Sequence, residues 1–242
     1  LNWYVEPLEA VAAFYSASVA INRHEFSTFV KPFLAQRPGI AAIQWIPRIA
    51  DDQRVVYETA ARQEPMAGND VSRFIFTEYG QPKAGQPSFV PATPRAEYYP
   101  IYYQEPLPQD GMPLGFDLGS DPIYRQALMT ARDQGQGVAV EQPALADKRT
   151  QQPLVIQIFY PMYAAGGAAD TPQIRRRSLI GFIAIVLRVH EVIDRILRDI
   201  PPDDINLSIY EHFTNPTSRL LYRNPPVSSS TPTDQASTSF IF

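Results

Sequence analysis

Apolar residues recur at steps of three and four over the first 35 positions, and this spacing predicts one long amphipathic helix. Pro7 suits the first turn of such a helix, and Pro32 and the Pro38–Gly39 pair end the pattern. A helix of this kind at the end of a chain can be a core helix, a stalk or a dimer seam. The apolar positions are Leu8, Ala12, Tyr15, Val19, Phe26, Phe29 or Val30, and Phe33.

Beyond residue 39, short apolar runs punctuated by proline, glycine and capping residues predict strands that alternate with helices. The stretch 179–189 is the most apolar and is predicted to be a central strand. Strands are predicted over 40–46, 73–78, 97–103, 137–141, 154–163, 179–189, 205–211 and 220–223. Helices are predicted after Asp51–Asp52, from Asp121–Pro122 to the stop at Gly135, and from His190 to the stop at Pro201–Pro202.

Strands outnumber helices and their connections are short, which predicts an α+β fold with a mainly antiparallel sheet. The long helix occupies residues 1–38. A larger unit follows at 39–200, and the double proline separates it from a smaller, partial unit at 201–242.

Composition and charge exclude several classes of function. The net charge of −4 argues against a nucleic-acid partner, and the lack of cysteine excludes disulfides, Cys-zinc sites and thiol catalysis. The three histidines lack metal-ligand spacing, and the chain has no nucleophile elbow and no Gly-rich phosphate loop. No catalytic, metal or cofactor site is therefore predicted. The chain has no run of 18 apolar residues, so no segment of it is expected to span a bilayer. It starts without methionine and is interpreted as an excised piece of a longer protein.

The segment Tyr98-Tyr99-Pro100-Ile101-Tyr102-Tyr103 concentrates large rings with polar tips in one extended stretch. This pattern suits a recognition wall for a small molecule, and it suits ordinary sheet core equally well. Asp117 and Asp121 can be read as paired carboxylates, but a turn explains the first and a helix cap explains the second. The basic run 175–177 is typical of a solvated loop.

Several short motifs follow one another in a specific order along the chain. They are Gly39-Ile-Ala-Ala-Ile-Gln-Trp-Ile-Pro-Arg48, Gln53-Arg-x-x-Tyr-Glu58, Tyr98-Tyr-Pro-Ile-Tyr102, Leu114-Gly-Phe-Asp-Leu-Gly-Ser120, Ala131-Arg-x-x-Gly135, Phe159-Tyr-Pro-Met-Tyr163, Leu179-Ile-Gly-Phe-Ile183 and Arg188-Val189. In this order they resemble the CHASE domain, the extracytoplasmic sensor of bacterial receptors and of plant cytokinin-receptor histidine kinases. The resemblance covers about Phe26 to Ile200, and its Gln-Trp-Ile-Pro-Arg form is similar to bacterial members.

The resemblance implies a long N-terminal helix followed by two PAS-like antiparallel-sheet subdomains, a larger membrane-distal one that binds a small ligand and a smaller membrane-proximal one. It also implies a homodimer formed through the N-terminal helix, flanking transmembrane helices and a periplasmic location as part of an inner-membrane protein. The implied output is cytoplasmic, either a histidine kinase or a cyclic-nucleotide or cyclic-di-GMP signalling enzyme, so the chain itself is expected to be a sensor and not an enzyme.

Site residues follow from the resemblance where motifs align with the ligand-binding positions of the plant receptors. The aspartate that holds the adenine ring in those receptors corresponds to Tyr124, and a threonine near the ligand tail corresponds to Phe159. These two changes disfavour a cytokinin and favour another small planar or apolar ligand. The expected ligand-binding residues are Tyr99, Pro100, Tyr102, Tyr124, Leu145, Phe159, Phe182 and Ile185.

A second class of function remains open at this point. In that alternative, the aromatic residues are packed core and the domain serves only as a structural or dimerisation element of a membrane receptor. A cavity of about 300 Å³ or more lined by the expected residues favours a sensor. A filled sheet face favours the structural alternative.

Overall fold

The structure is a computed structural model, and it describes residues 8, 10–11, 21–64, 71–82, 87–106, 112–141, 155–164 and 171–198, together with the backbone of 208–212 and 218–223. The chain divides into two compact units, Leu1–Val192 and Ile193–Phe242. The double proline predicted as the divide lies outside the described residues, so the predicted bounds at 38 and 200 stay predictions.

Helices and strands alternate along the described part of the first unit. The helices are α1 (Arg23–Gln36), α2 (Arg54–Gln63), α3 (Pro122–Gln134), α4 (Pro172–Ser178) and α5 (Val189–Leu197), the last of which continues past Val192. The strands are β1 (Ile40–Pro47), β2 (Ile49–Ala50), β3 (Thr77–Tyr79), β4 (Phe89–Pro91), β5 (Glu97–Tyr98), β6 (Tyr103–Glu105), β7 (Val138–Glu141), β8 (Val155–Tyr163) and β9 (Leu179–Arg188).

A continuous helix over the first 35 residues is not confirmed, because α1 begins afresh at Arg23. Asn22 has extended backbone, and its side chain accepts a hydrogen bond from the Glu25 N–H at 3.0 Å. The Glu25 carboxylate accepts one from the Asn22 N–H at 3.0 Å, which completes a capping box. Leu8 and Val11 are helical and buried, while residues 12–20 lie outside the described part. Pro32 does not stop α1, which runs on to Gln36.

Within the described residues, the main sheet has five antiparallel strands in the order β6-β1-β9-β8-β7. Numbered by their order in the chain, these strands read 2-1-5-4-3. Strand β9 lies in the middle, where Ile183 pairs with Trp45 of β1 and with Tyr160 of β8. The predictions of an α+β, PAS-like antiparallel architecture and of a central strand near 179–189 are therefore confirmed.

Successive side chains of β9 point to opposite faces of the sheet, so this strand contributes to two hydrophobic cores. On one face, here named the α1 face, Ile183 and Ile185 pack with Phe26 and Val30 of α1. On the other face, the α3 face, the residues packed together in one core are Ile46, Tyr99, Ile101, Met112, Phe116, Leu118, Tyr124, Ala127, Leu128, Ala131, Phe159, Leu179, Phe182 and Ala184. Both faces of the sheet are thus buried.

Helix α3 starts and ends where the sequence predicts. The Asp121 carboxylate accepts hydrogen bonds from the N–H groups of Ile123 at 2.8 Å and Tyr124 at 3.2 Å, and Pro122 occupies the first turn. Gly135 closes the helix in the left-handed conformation, with φ of 71°. The apolar stripe of the helix decides which side meets the sheet: Tyr124, Ala127, Leu128 and Ala131 are buried in the core with Phe159 and Phe182.

Some predicted elements differ in detail. The strand expected over 97–103 is divided into β5 and β6, and β3 covers only Thr77–Tyr79 of the strand expected over 73–78. The basic run expected in a solvated loop forms the last turn of α4.

In the second unit, strands β10 (Ser208–His212) and β11 (Ser218–Arg223) pair antiparallel, as predicted for strands over 205–211 and 220–223.

Replacement of Gly115 by alanine should destabilise the fold by roughly 2 kcal/mol or more. Gly115 has φ of +85°, and a Cβ there would collide with the carbonyl oxygen of Ile75. Chemical denaturation of the wild type and the variant measures this loss. Gly137→Ala is the matched control, because its Cβ would make only ordinary contact with Ile158 at 3.4 Å. Equal losses in the two variants would contradict the strain assigned to Gly115.

Candidate functional site

Four of the expected ligand-binding residues lie together in the core of the α3 face. They are Tyr99, Tyr124, Phe159 and Phe182, and each is at most 2% exposed. The Tyr99 and Phe182 rings lie 5.8 Å apart between centroids, and the Tyr124 and Phe159 rings meet edge to face at 6.2 Å. Aromatic pairs of this kind occur in packed cores and also line sites for small ligands.

Two of the expected residues lie on the opposite side of the sheet. Tyr102 and Ile185 belong to the core of the α1 face, where the Tyr102 hydroxyl donates to the Tyr57 carbonyl at 3.0 Å. On β9, Ile185 is three positions from Phe182, and in a strand an odd separation reverses the side-chain direction. The structure therefore does not bring these two residues to the aromatic cluster of the α3 face.

The remaining two expected residues have different positions. Pro100 is buried and forms an isolated β-bridge with Asp117. Leu145 lies outside the described residues.

The Tyr124 hydroxyl is a polar group buried in a hydrophobic core. The side chain is 0% exposed, and its hydroxyl has no hydrogen-bond partner among the described residues. Burial raises the pKa of this phenol above its ordinary value of 10.0, and nearby Tyr79 and Asp121 raise it further. The hydroxyl therefore stays protonated at neutral pH, and it can donate to one partner and accept from another.

Tyr99 differs from Tyr124, because its hydroxyl already has a partner. The Tyr99 hydroxyl donates to Glu97 at 2.7 Å, and Arg48 donates to the other oxygen of that carboxylate at 2.7 Å. Both tyrosines are among the ligand-binding residues expected from the sequence. In this structure only the Tyr124 hydroxyl of the pair has its full hydrogen-bonding capacity left.

A second buried hydroxyl without a described partner lies at the border of the α3 face, on Thr77. Thr77 forms an isolated bridge with Phe116, a member of the aromatic core. Two positions further along β3, Tyr79 packs against the Phe116 ring at 4.7 Å. No sequence pattern points to Thr77, because threonine is common in strands.

Asp117 holds the backbone that carries Tyr99. One carboxylate oxygen accepts from the N–H groups of Tyr99 at 2.7 Å and Gly119 at 3.0 Å, and the other accepts from Arg95 at 2.9 Å. The side chain is 0% exposed, and burial raises its pKa against the lowering effect of the Tyr99 N–H and Arg95. The interpretation of Asp117 as a turn-forming residue is confirmed, and it positions one wall of the cluster.

Sequence reasoning missed a buried row of glutamines on the α3 face. Gln157 donates to Gln44 at 2.6 Å, and Gln44 donates to Gln104 at 2.6 Å. A signal was available, because Gln157 falls on the face of β8 opposite to Ile156 and Ile158 and shares it with Phe159. A polar residue at an inward position of a strand is informative.

The described residues contain no group of three or more His, Cys, Asp or Glu that could hold a metal ion. No helix there is both long enough and apolar enough to cross a membrane.

Comparison with known families identifies the chain. The family model of the CHASE domain matches residues 19–222. The chain belongs to the CHASE domain family. CHASE domains are sensor modules, which agrees with the resemblance derived from the ordered motifs.

One curated relative of this CHASE domain is hybrid signal transduction histidine kinase A from Dictyostelium discoideum, which is 23% identical over 220 residues. The match covers 88% of this chain but only 10% of the relative, so the chain spans about a tenth of that protein. A solved structure similar to the chain is the ligand-binding domain of the amino acid chemoreceptor PctC from Pseudomonas aeruginosa PAO1 in complex with GABA. It has a TM-score of 0.43 and 12% identity, and the match covers 86% of this chain and 63% of that chain.

Replacement of Asp117 by asparagine should lower the free energy of unfolding by about 2 kcal/mol or more. The amide oxygen can keep the two backbone N–H donors, but the NH₂ then faces the Arg95 guanidinium, so the acceptor and the negative charge that paired with Arg95 are lost. Urea denaturation measures the difference. Asp121→Asn is the control, because asparagine caps a helix as well as aspartate does. Equal stability of the two variants would contradict the positioning role of Asp117.

Proposed function

We propose that this CHASE domain is the extracytoplasmic small-molecule sensor of a bacterial transmembrane receptor. Its ligand binds in the larger unit, and the signal passes through helices to a cytoplasmic output, either a histidine kinase or a cyclic-nucleotide or cyclic-di-GMP signalling enzyme. Family membership supports the sensing role. The hybrid histidine kinase among its relatives, of which the chain spans about a tenth, supports an output outside the sensor.

The ligand site in this proposal is the α3 face, and the observation that carries it is the Tyr124 hydroxyl. A buried hydroxyl without a partner costs about 1–3 kcal/mol of stability. Phenylalanine would fill nearly the same volume without that cost. A hydrogen-bonding partner supplied by a ligand accounts for a tyrosine at this position.

The surroundings of Tyr124 define the kind of ligand. Phe159 meets its ring edge to face, and Tyr99 and Phe182 form a second aromatic pair in the same core. These apolar walls favour a small planar or apolar molecule that presents a polar group to the Tyr124 hydroxyl. A cytokinin-like adenine derivative belongs to this class, but the aspartate that holds adenine in the plant receptors is replaced here by Tyr124 itself.

The segment from β5 to β6 offers a route from the site to the N-terminal part of the chain. Tyr99 lies in the core of the α3 face, and Tyr103 lies in the core of the α1 face. The Tyr103 ring packs at 5.7 Å from Phe26 and at 5.3 Å from the guanidinium carbon of Arg23, both in α1. A ligand that favours one position of Tyr99 therefore biases the packing of α1, provided that it binds one arrangement better than the other.

Tyr124→Phe should stabilise the ligand-free domain by about 1 kcal/mol, because it removes the unpaired hydroxyl. The same change should weaken a ligand bound through this group by about fivefold or more. Thermal unfolding measures the first effect. Calorimetry measures the second, with the best binder from a panel of planar heterocycles that runs from quinoline to N6-substituted adenines.

Tyr163→Phe is the matched control for this prediction. The Tyr163 hydroxyl donates to the Arg132 carbonyl at 2.6 Å, so its removal should lower stability and leave the ligand affinity unchanged. If Tyr124→Phe lowered stability as Tyr163→Phe does and also left affinity unchanged, the proposed site would be wrong.

A structural or dimerisation domain without a ligand is the second candidate. The observation that favours it is the packing of the α3 face, where Tyr124, Phe159 and Phe182 are 0% exposed and fill the core. In this case no compound of the panel raises the unfolding temperature, and Tyr124→Phe changes stability alone.

We also propose that the domain works as a homodimer formed through its N-terminal helix and lies between flanking transmembrane helices. The family resemblance supports this arrangement, whereas Leu8 is buried against its own chain and cannot belong to an exposed seam. Tyr15→Glu should reduce the dimer fraction of the chain in sedimentation experiments at high concentration, because a charge in a seam is costly. Leu8→Ala, which acts on the core, should instead lower stability. An unchanged dimer fraction in Tyr15→Glu would argue against this seam.

A further inference from the structure

A row of three glutamine side chains crosses the α3 face of the sheet. Gln157 of β8 donates to Gln44 of β1 at 2.6 Å, and Gln44 donates to Gln104 of β6 at 2.6 Å. The Gln104 amide donates in turn to the carbonyl oxygen of Pro106 at 3.1 Å. Gln157 is 0% exposed and Gln44 is 2% exposed, so the middle of this glutamine row is buried.

The glutamine row borders the aromatic cluster directly. Strand β9 lies between β1 and β8, so the bond from Gln157 to Gln44 passes over β9. Ala184 of β9 is the residue paired with both Gln44 and Phe159, and its single methyl group leaves room for the two amides. Gln157 precedes Phe159 by two positions and therefore shares its face of the sheet.

The middle residue of the row, Gln44, has more hydrogen-bonding capacity than its two described side-chain bonds use. A side-chain amide offers two N–H donors and two acceptor lone pairs. Among the described hydrogen bonds of its side chain, Gln44 uses one donor and one acceptor. One N–H and one lone pair of Gln44 are left for a partner on the α3 face, and burial of polar groups in an apolar core is costly unless they are satisfied.

The charges near this face disfavour an ionic ligand, because those described there already have partners. The buried Asp117 carboxylate accepts from Arg95 and from two backbone N–H groups, and Glu97 beside the Tyr99 hydroxyl is paired with Arg48. A charged ligand would lose its hydration without gaining an opposite charge.

We propose that the glutamine row is the polar edge of the ligand site and selects a neutral, planar ligand that carries an adjacent donor and acceptor, as in a lactam or another cyclic amide. This proposal rests on the ligand-sensing function proposed above. The aromatic cluster provides stacking, and Gln44 provides a donor–acceptor pair complementary to that of the ligand.

Two bicyclic compounds of nearly equal size test the proposal on the whole chain. 2-Quinolone is a neutral lactam with adjacent N–H and C=O groups, and quinoline has the ring nitrogen alone. By calorimetry, wild type should bind 2-quinolone about tenfold or more tightly than quinoline, because a ligand without the matching edge leaves the site's polar groups unpaired. 2-Naphthoate, which is anionic, should bind more weakly than either.

The double variant Gln44→Met/Gln157→Met should abolish the preference for 2-quinolone. Both members of the buried Gln157–Gln44 pair become apolar groups of similar shape, a change that can be nearly neutral for stability, and the partly exposed Gln104 can bond to water instead. Gln126→Met is the control, because that amide bonds Thr130 on the exposed surface of α3.

A measurement on wild type alone avoids any effect of substitution on folding. The side-chain NH₂ resonances of Gln44, observed in ¹⁵N-labelled protein, should shift with 2-quinolone more than with quinoline.

The outcomes separate this inference from the function on which it rests. If wild type binds both compounds equally and Tyr124→Phe weakens both, the role of the glutamine row is overturned and ligand sensing at the α3 face stands. Unshifted Gln44 resonances in a 2-quinolone complex would overturn the role of the row in the same way. If neither these compounds nor the heterocycle panel binds, the sensing function is overturned and this inference fails with it.

Discussion

The burial of β9 on both faces is the constraint on which the rest of the structure depends. A strand with one solvated face needs one apolar set of side chains, but β9 must supply two, one for each core. Ile183 and Ile185 serve the α1 face, while Phe182 and Ala184 serve the α3 face. Because the side-chain period is two, the register of β9 against β1 and β8 decides the content of both cores at once.

The architecture was predictable because its signals are local. The cap at Asp121, the first-turn proline and the left-handed Gly135 are each readable from single residues and fix the ends of α3. The apolar run at 179–189 and the alternation in β8 similarly predicted the two longest strands. The break before α1 was missed although Asn22 and Glu25 form a capping box, because the apolar spacing continued across it.

The candidate site was only partly predictable, since motif alignment names positions and does not say which face they occupy. Tyr102 and Ile185 lie in the expected segments but point into the other core, as alternation along the strands requires. The glutamine row depends on strand order: Gln44 and Gln157 are far apart in sequence and meet only because Ala184 separates their strands with a small side chain. No local pattern contains that information. Likewise, the engagement of the Tyr99 hydroxyl by Glu97 depends on tertiary geometry.

Strand β6, which carries Tyr103, lies at the end of the sheet order and pairs only with β1 among the described strands. A central strand can shift only by disrupting ladders on two sides, whereas β6 is held by a single ladder of three residue pairs. Fewer ladder hydrogen bonds therefore constrain the backbone of β6 than that of β9. The fold places a singly paired strand at the edge of the sheet, beside α1, and the doubly paired strands in the interior. In the proposed sensor, a difference in ligand binding energy of about 1–3 kcal/mol is of the right size to shift such a strand.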